Sequence, residues 1–307
     1  MKKYPSFFIV GAPKAGTTSL YDYLSECGDI FLPQEKEIHY FGSDLLTKQR
    51  KGNSISEKTY LSHFEAMGEE KVAGEASVLY LKSTKAAMEI YEFCPEARII
   101  IMLRQPSHLI YSLHSQLLSQ GDEDVIDFSK ALELEEARKA GKNLPIGVSV
   151  PDDGIFYRDV GKLGTQVERF MNVFPTNQIK FIFFEDFVEN TAAEVSSVLK
   201  FLGLPNYTNP KISKVSNPNS RARSKALTRL LYHPPNWAVW VAKKIAPRQS
   251  LITIRRELRK FNNVRSKREE LPSELYKELT SYFDSEIIKL EKLTGRDLTL
   301  WRSHTNL

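Results

Sequence analysis

Near the amino terminus the chain reads FFIVGAPKAGTTS, Phe7 to Ser19. Gly11 and Gly16 bracket a four-residue loop, and Thr17, Thr18 and Ser19 follow at once. A loop of this kind, running from an apolar stretch into a helical pattern, offers oriented backbone N–H groups and a positive dipole end to an anion. In a nucleoside-triphosphate loop of the form G-x-x-x-x-G-K-[ST], lysine directly follows the second glycine and the hydroxyl sits on magnesium. Here Thr17 occupies that place and the lysine has moved forward to Lys14. The cradle of Lys14, Ala15, Gly16, Thr17, Thr18 and Ser19 is kept; its cation is relocated. The hydroxyls can then bond one phosphate while Lys14 reaches the bridge between that phosphate and a group being transferred. The apolar run IIIML ends in Arg104, where a magnesium-holding Asp would be expected. Metal-free transfer from an activated phosphate ester fits these residues better than ATP hydrolysis.

Such a loop needs a strand behind it and a helix ahead. Phe7 to Val10 is a short apolar run bounded by Pro5 and Gly11, the pattern of a buried parallel strand, and Leu20, Tyr23 and Leu24 give the next segment helical spacing. Similar runs recur at Lys71 to Ser77, Ala97 to Arg104 and Gln178 to Phe187. Helical patterns cover Ser83 to Phe93, Ser107 to Ser119, Tyr157 to Val173 and Ala192 to Leu202, and a last amphipathic helix covers Leu271 to Leu293. Alternating buried strands and helices predict an α/β fold: a P-loop-type parallel sheet flanked by helices on both faces, with a helical carboxyl-terminal portion. The polar stretch Gly121 to Val150 reads either as a lobe over a site or as a surface excursion.

The chain has 307 residues, 41% of them hydrophobic, enough for one large domain spanning 1–307, with a core at about 5–205 and a basic, mainly helical portion at about 206–307. Net charge is +5, too small an excess to argue for nucleic-acid binding. Between Lys211 and Glu270 sixteen Lys/Arg face three acids, so the excess sits late in the chain. Cys27 and Cys94 have no metal-ligand spacing and read as reduced packing residues. The apolar stretch after Lys2 and Lys3 is too short for a signal peptide, and no run is long enough to span a bilayer. A soluble, cytoplasmic protein is expected. The segment YHPPNWAVWVAKKIAPR, Tyr232 to Arg248, reads either as a helix that closes a core or as an interfacial helix. In the second case Trp237 and Trp240 lie at headgroup depth, Lys243 and Lys244 meet anionic lipid, and the protein sits peripherally at the inner membrane face.

Four stretches in order, PKAGTTSL, KEIHYF, GEASVLYL and IIIMLRQPSHLIYSLHSQL, resemble the sulfotransferases that use 3′-phosphoadenosine 5′-phosphosulfate (PAPS), in particular bacterial members and the heparan-sulfate branch. A weaker likeness continues through GIFYRDVGKL, FFEDF and GRDLTLW, covering most of the chain. The resemblance implies in-line transfer of a sulfuryl group to a hydroxyl acceptor, a sugar, lipid-linked sugar or small metabolite, without metal. It makes Lys14 the cation at the leaving oxygen and Glu37 the base. Lys36 and His39 flank Glu37 and either orient the sulfonate or hold the carboxylate. Arg104 and Ser112 match the family's pair for the 3′-phosphate, a role that suits the planar fork of arginine. Arg221 and Arg223 are candidates for a basic loop over the nucleotide. One departure stands out: the heparan-sulfate enzymes carry a lysine after the glutamate of the third stretch, and this chain has Ala76. Glu75 itself then bonds the catalytic loop or the acceptor, or is structural. The alternatives from other classes are a P-loop kinase or NTPase, and a non-catalytic nucleotide-binding module.

Overall fold

The computed structural model describes residues 4–45, 55–145, 153–205, 220–222, 258, 263–265 and 270–303. Five strands form one parallel sheet: β1 (Phe7–Gly11), β2 (Ile30–Phe31), β3 (Val72–Ala76), β4 (Arg98–Leu103) and β5 (Ile179–Phe183), in the order β2-β3-β1-β4-β5. The helices, in chain order, are α1 (Thr17–Ser25), α2 (Glu57–Ser62), α3 (Ala86–Phe93), α4 (Pro106–Gln120), α5 (Phe128–Glu133), α6 (Glu135–Lys139), α7 (Tyr157–Gly161), α8 (Leu163–Met171), α9 (Phe184–Glu189), α10 (Thr191–Phe201) and α11 (Ser273–Thr294). A separate antiparallel pair joins β6 (Ser220–Ala222) to β7 (Asn263–Arg265).

The strands form where the sequence is apolar on both faces, because helices cover both sides of a parallel sheet. Phe7 to Val10 and Ile99 to Leu103 are wholly excluded from solvent. β1 is central, paired to β3 on one side and β4 on the other. After β1 the chain builds β2 and β3 on one side, then crosses to β4 and β5 on the other. The end of β1 is therefore a topological switch point, where open α/β sheets leave a crevice outside the strand ends.

Two compact units are distinguishable, residues 1–110, 158–217 and 272–307 in the first, and 111–157 with 218–271 in the second. The first holds the sheet. There α11 lies along α8 with Leu275, Leu279, Phe283, Ile287 and Leu290 buried, and it ends at Gly295 in the left-handed conformation, φ 68°. In the second, a buried bidentate ion pair joins Arg138 Nη1 to Glu123 Oε2 at 2.6 Å and Nη2 to Oε1 at 2.7 Å, and the Tyr157 hydroxyl donates to Glu123 Oε2 at 2.8 Å.

Two elements differ from the sequence expectation. The run Gln178 to Phe187 is strand only to Phe183 and turns into α9 at Phe184. Glu185 and Asp186 fall in the first helical turn, where acidic side chains meet the positive dipole end. The segment Tyr157 to Val173 is two helices, divided at Lys162 (φ −74°, ψ 59°). Its glycines are set by contact: a Cβ on Gly161 would lie 2.4 Å from the Phe283 ring. Two short elements, β2 and α2, had no sequence signal; α2 starts at Ser56, whose side chain accepts the Thr59 N–H. Within Gly121 to Val150 the described part, to residue 145, contains α5 and α6. Tyr232 to Arg248, with Trp237 and Trp240, and Arg223 lie outside the described residues.

Candidate functional site

The sequence-derived residues of the first unit gather at the carboxyl ends of the strands. β1 ends at Gly11, and Ala12 N–H donates to Met102 O at 2.6 Å, tying the loop to β4. The chain then turns through Lys14 (φ 62°) and Gly16 (φ 93°) into α1 at Thr17. Gly16 caps α1 without a side-chain hydrogen bond. The first N–H groups of a helix have no partner within it, so the Thr17 to Ser19 end is built to receive an anion. A side chain at Gly16 would press on Met102 and Phe187 at 3.3 Å in a left-handed conformation, which explains the glycine. Ala15 is fully buried beneath the turn.

Arg104 follows β4. Its Nη1 donates to the Lys14 carbonyl at 3.0 Å, and the guanidinium lies 4.3 Å from the centre of the Phe184 ring. It thus braces the turn that carries Lys14. Ser112, buried on α4, belongs to the second unit.

The segment after β2 brings the proposed base to the helix end. The Tyr21 hydroxyl of α1 donates to the Pro33 carbonyl, holding the two together. Lys36 Nζ donates to Thr18 Oγ1 at 2.9 Å and Thr17 Oγ1 at 3.4 Å, and lies 3.9 Å from Glu37 Oε1. Burial pushes the Lys36 amine below the usual lysine range, against the opposing pull of Glu37 and Asp22. The other carboxylate oxygen, Glu37 Oε2, is 3.7 Å from His39 Nε2. Glu37 remains 42% exposed while His39 is buried, so the carboxylate faces solvent with the imidazole behind it. Among the described residues, His39 Nδ1 has no hydrogen-bond partner.

Among the described residues four non-glycines have positive φ: Lys14, Glu37 (62°), His39 (55°) and Asn143. Such backbone is costly for residues with a Cβ and persists only where its surroundings over-determine it. Three of the four are the residues singled out for the chemistry.

The surroundings are visible in the strand next door. Glu37 N–H donates to Ala76 O at 2.9 Å, His39 N–H to Ser77 Oγ at 3.1 Å, and Phe41 N–H to Tyr80 Oη at 3.2 Å. Gly42 and Ser43 N–H both reach the Glu89 carboxylate. Ala76, where the heparan-sulfate pattern has lysine, contributes its backbone. Glu75 is buried and bonds three hydroxyls, those of Tyr60, Ser77 and Tyr80. Burial pushes its carboxyl up, and the opposing pull of the three hydroxyls and His39 leaves it above the usual carboxylate range. Ser77 and Tyr80 lie inside GEASVLYL but carry no role readable from that stretch, and Tyr60 and Glu89 have no local signal at all.

Comparison with known proteins follows the same lines. The family described as "Sulfotransferase domain" matches over residues 4–295. A crystal structure of a sulfotransferase from Alicyclobacillus acidocaldarius superposes with a TM-score of 0.72 at 28% identity, covering 98% of this chain and 99% of that one. Membrane-associated sulfotransferase kil1 of Dictyostelium discoideum is 32% identical over 105 residues, 33% of this chain and 21% of that protein. Bifunctional heparan sulfate N-deacetylase/N-sulfotransferase 1 of Xenopus laevis is 25% identical over 206 residues, 66% of this chain and 23% of that protein. The chain thus spans less than a quarter of either curated relative. With the match running through the sheet, the glycine-bounded loop and α11 alike, the chain belongs to the sulfotransferase-domain family.

Proposed function

We propose that this protein transfers a sulfuryl group from PAPS to a hydroxyl acceptor, with Glu37 as the base. The observation that carries the reading is the position of Lys36 Nζ, 2.9 Å from the Thr18 hydroxyl at the anion-receiving helix end and 3.9 Å from the Glu37 carboxylate. One cation links the place for a phosphate to the place for a proton acceptor.

The nucleotide supplies the sulfuryl group on its 5′-phosphate. The loop from Lys14 to Ser19 would hold that phosphate through backbone N–H groups and hydroxyls, and these donors fit a tetrahedral anion. Glu37, exposed and acceptor-only when ionised, takes the proton of the attacking hydroxyl as the new S–O bond forms. Lys14 stabilises the phosphate oxygen as the old S–O bond breaks, and Lys36 faces the oxygens of the group in transit. His39 Nε2, 3.7 Å from the second oxygen of Glu37, backs that side of the carboxylate. Arg104 holds the 3′-phosphate while bracing Lys14; the matching role for Ser112 rests on the sequence resemblance. The runner-up classes, kinase or NTPase and non-catalytic binding module, are disfavoured by the forward Lys14 and by a base beside the loop.

The test is mass spectrometry of products after incubation with PAPS and a panel of sugars, lipid-linked sugars and small alcohols. A product heavier by one sulfuryl group is expected, and its absence with every acceptor would count against transfer. Calorimetry with chelator present should show binding of adenosine 3′,5′-bisphosphate and much weaker binding of adenosine 5′-phosphate. Equal affinity for the two would remove Arg104 from the 3′-phosphate.

A further inference from the structure

We propose that Glu75 is a positioning residue for the base: a buried carboxylate that aligns the Ser77 and Tyr80 hydroxyls so that these hold the loop of Glu37 and His39 in its left-handed backbone. The inference rests on the reading of Glu37 as the base.

With Glu75 ionised, the geometry gives the hydrogen bonds one direction. An ionised carboxylate accepts and cannot donate, and a hydroxyl has a single proton. Ser77 Oγ donates to Glu75 Oε1 at 2.5 Å, and Tyr80 Oη donates to the same oxygen at 2.8 Å. With their protons committed there, both hydroxyl oxygens present lone pairs to the loop. Those lone pairs receive His39 N–H and Phe41 N–H. Oε2 accepts the Tyr60 hydroxyl at 2.8 Å, and the Tyr60 ring stacks on Tyr40 at 4.2 Å between centroids and 9° between planes. Residues 39, 40 and 41 are therefore each tied to Glu75 through one intermediary.

Burial makes the arrangement specific. Glu75, Ser77, Tyr60 and Tyr80 are each at most 1% exposed, so no water replaces a lost partner cheaply. A leucine at position 75 would cost less to bury than a carboxylate. The polar alignment accounts for the acid. The strain it opposes lies at Glu37 and His39, whose positive φ the N–H bonds to Ala76, Ser77 and Tyr80 over-determine. If those bonds are lost, the loop relaxes toward negative φ and the Glu37 carboxylate leaves its place beside Lys36.

Glu75→Leu would strand three buried hydroxyls and is a poor test, because a failure to fold would hide any effect on the loop. Ser77→Ala and Tyr80→Phe each cut one link and leave the carboxylate two donors; Ser77→Thr keeps the hydroxyl. In the full chain, three quantities are read for each: amide hydrogen exchange over residues 36–43, affinity for adenosine 3′,5′-bisphosphate, and kcat with KM for the best acceptor. Ser77→Ala and Tyr80→Phe are expected to speed exchange at His39 and Phe41 respectively by about tenfold or more. Their kcat should fall about tenfold to a hundredfold, as misplacement of a reacting group does, with KM and nucleotide affinity little changed. Ser77→Thr should restore both exchange protection and kcat. Unchanged exchange, or faster exchange with kcat intact, would overturn the proposal. A kcat loss accompanied by equal loss of nucleotide affinity or by global unfolding would mark a general structural role and overturn it too. If the parent transfers no sulfuryl group, the base reading fails. The exchange data then still decide whether Glu75 holds the loop.

Discussion

At the scale of single residues, Glu37 sits where one carboxylate oxygen faces Lys36 and the other faces His39. Glu37→Gln keeps the size and one acceptor oxygen but removes the proposed base. Turnover is expected to fall by about a hundredfold or more while affinity for adenosine 3′,5′-bisphosphate stays the same. Activity surviving within a few-fold would move the base elsewhere, with His39 next. Lys36→Met separates charge from bulk at the same place. Its kcat should fall with KM for the acceptor little changed, because its contact is with the helix end proposed to receive the phosphate. An equal rise in KM would make Lys36 an acceptor-binding group instead. Lys14, Glu37 and the two neighbours of Glu37 stood out in the sequence, because each lies in a contiguous stretch whose residue types are unusual together. Their left-handed backbone was not, since nothing in GAPKAG or KEIHYF obliges Lys14, Glu37 or His39 to adopt positive φ.

At the scale of elements, two contacts bear on stability. The Phe283 ring of α11 lies over Gly161, so that a methyl group there would be 2.4 Å from the ring. Phe283→Ala should destabilise the protein by about 3–5 kcal/mol in urea unfolding. Gly161→Ala should destabilise the parent but be tolerated, or stabilising, in the Phe283→Ala background, where the methyl enters the cavity. Additive effects in that cycle would show that the two do not share space. In the second unit, burial alone would push the Glu123 carboxyl up, and the Arg138 guanidinium, the Val125 N–H and the Tyr157 hydroxyl bring it below the usual carboxylate range. A depressed carboxyl contributes stability above its ordinary value of about 4.3 and loses it as pH falls through the folded-state value. Arg138→Ala removes the counter-charge and leaves burial, which reverses the sign. The variant should lose about 3–5 kcal/mol at neutral pH and regain part of it on acidification, as Glu123 takes up a proton. A penalty that does not depend on pH would rule out this account.

At the scale of the whole molecule, none of the described helices is long and apolar enough to cross a membrane. The segment Tyr232 to Arg248 lies outside the described residues, and its two readings, interfacial or core-closing, make opposite predictions. If it is interfacial, the parent should float with anionic liposomes at low salt, and Trp237→Ala with Trp240→Ala should release it. No lipid-bound fraction in the parent would leave a soluble acceptor as the better expectation. Kil1 is membrane-associated by name; for this chain that property is a proposal, decided by the flotation result.

The sequence by itself determined the parallel sheet, the loop after its central strand and the order of the motifs, because apolar runs, glycine spacing and helical periodicity are local signals. It also placed Lys14 and Arg104 beyond strand ends. Only the tertiary structure decided what those residues touch. His39 meets Ser77 across 38 positions of chain, Gly42 meets Glu89 across 47, and Tyr60 meets Glu75 through a side-chain hydroxyl. The reason is geometric: the order β2-β3-β1-β4-β5 puts the segment after β2 beside the end of β3. That proximity is created by strand pairing between distant stretches, and no periodicity within either stretch encodes it.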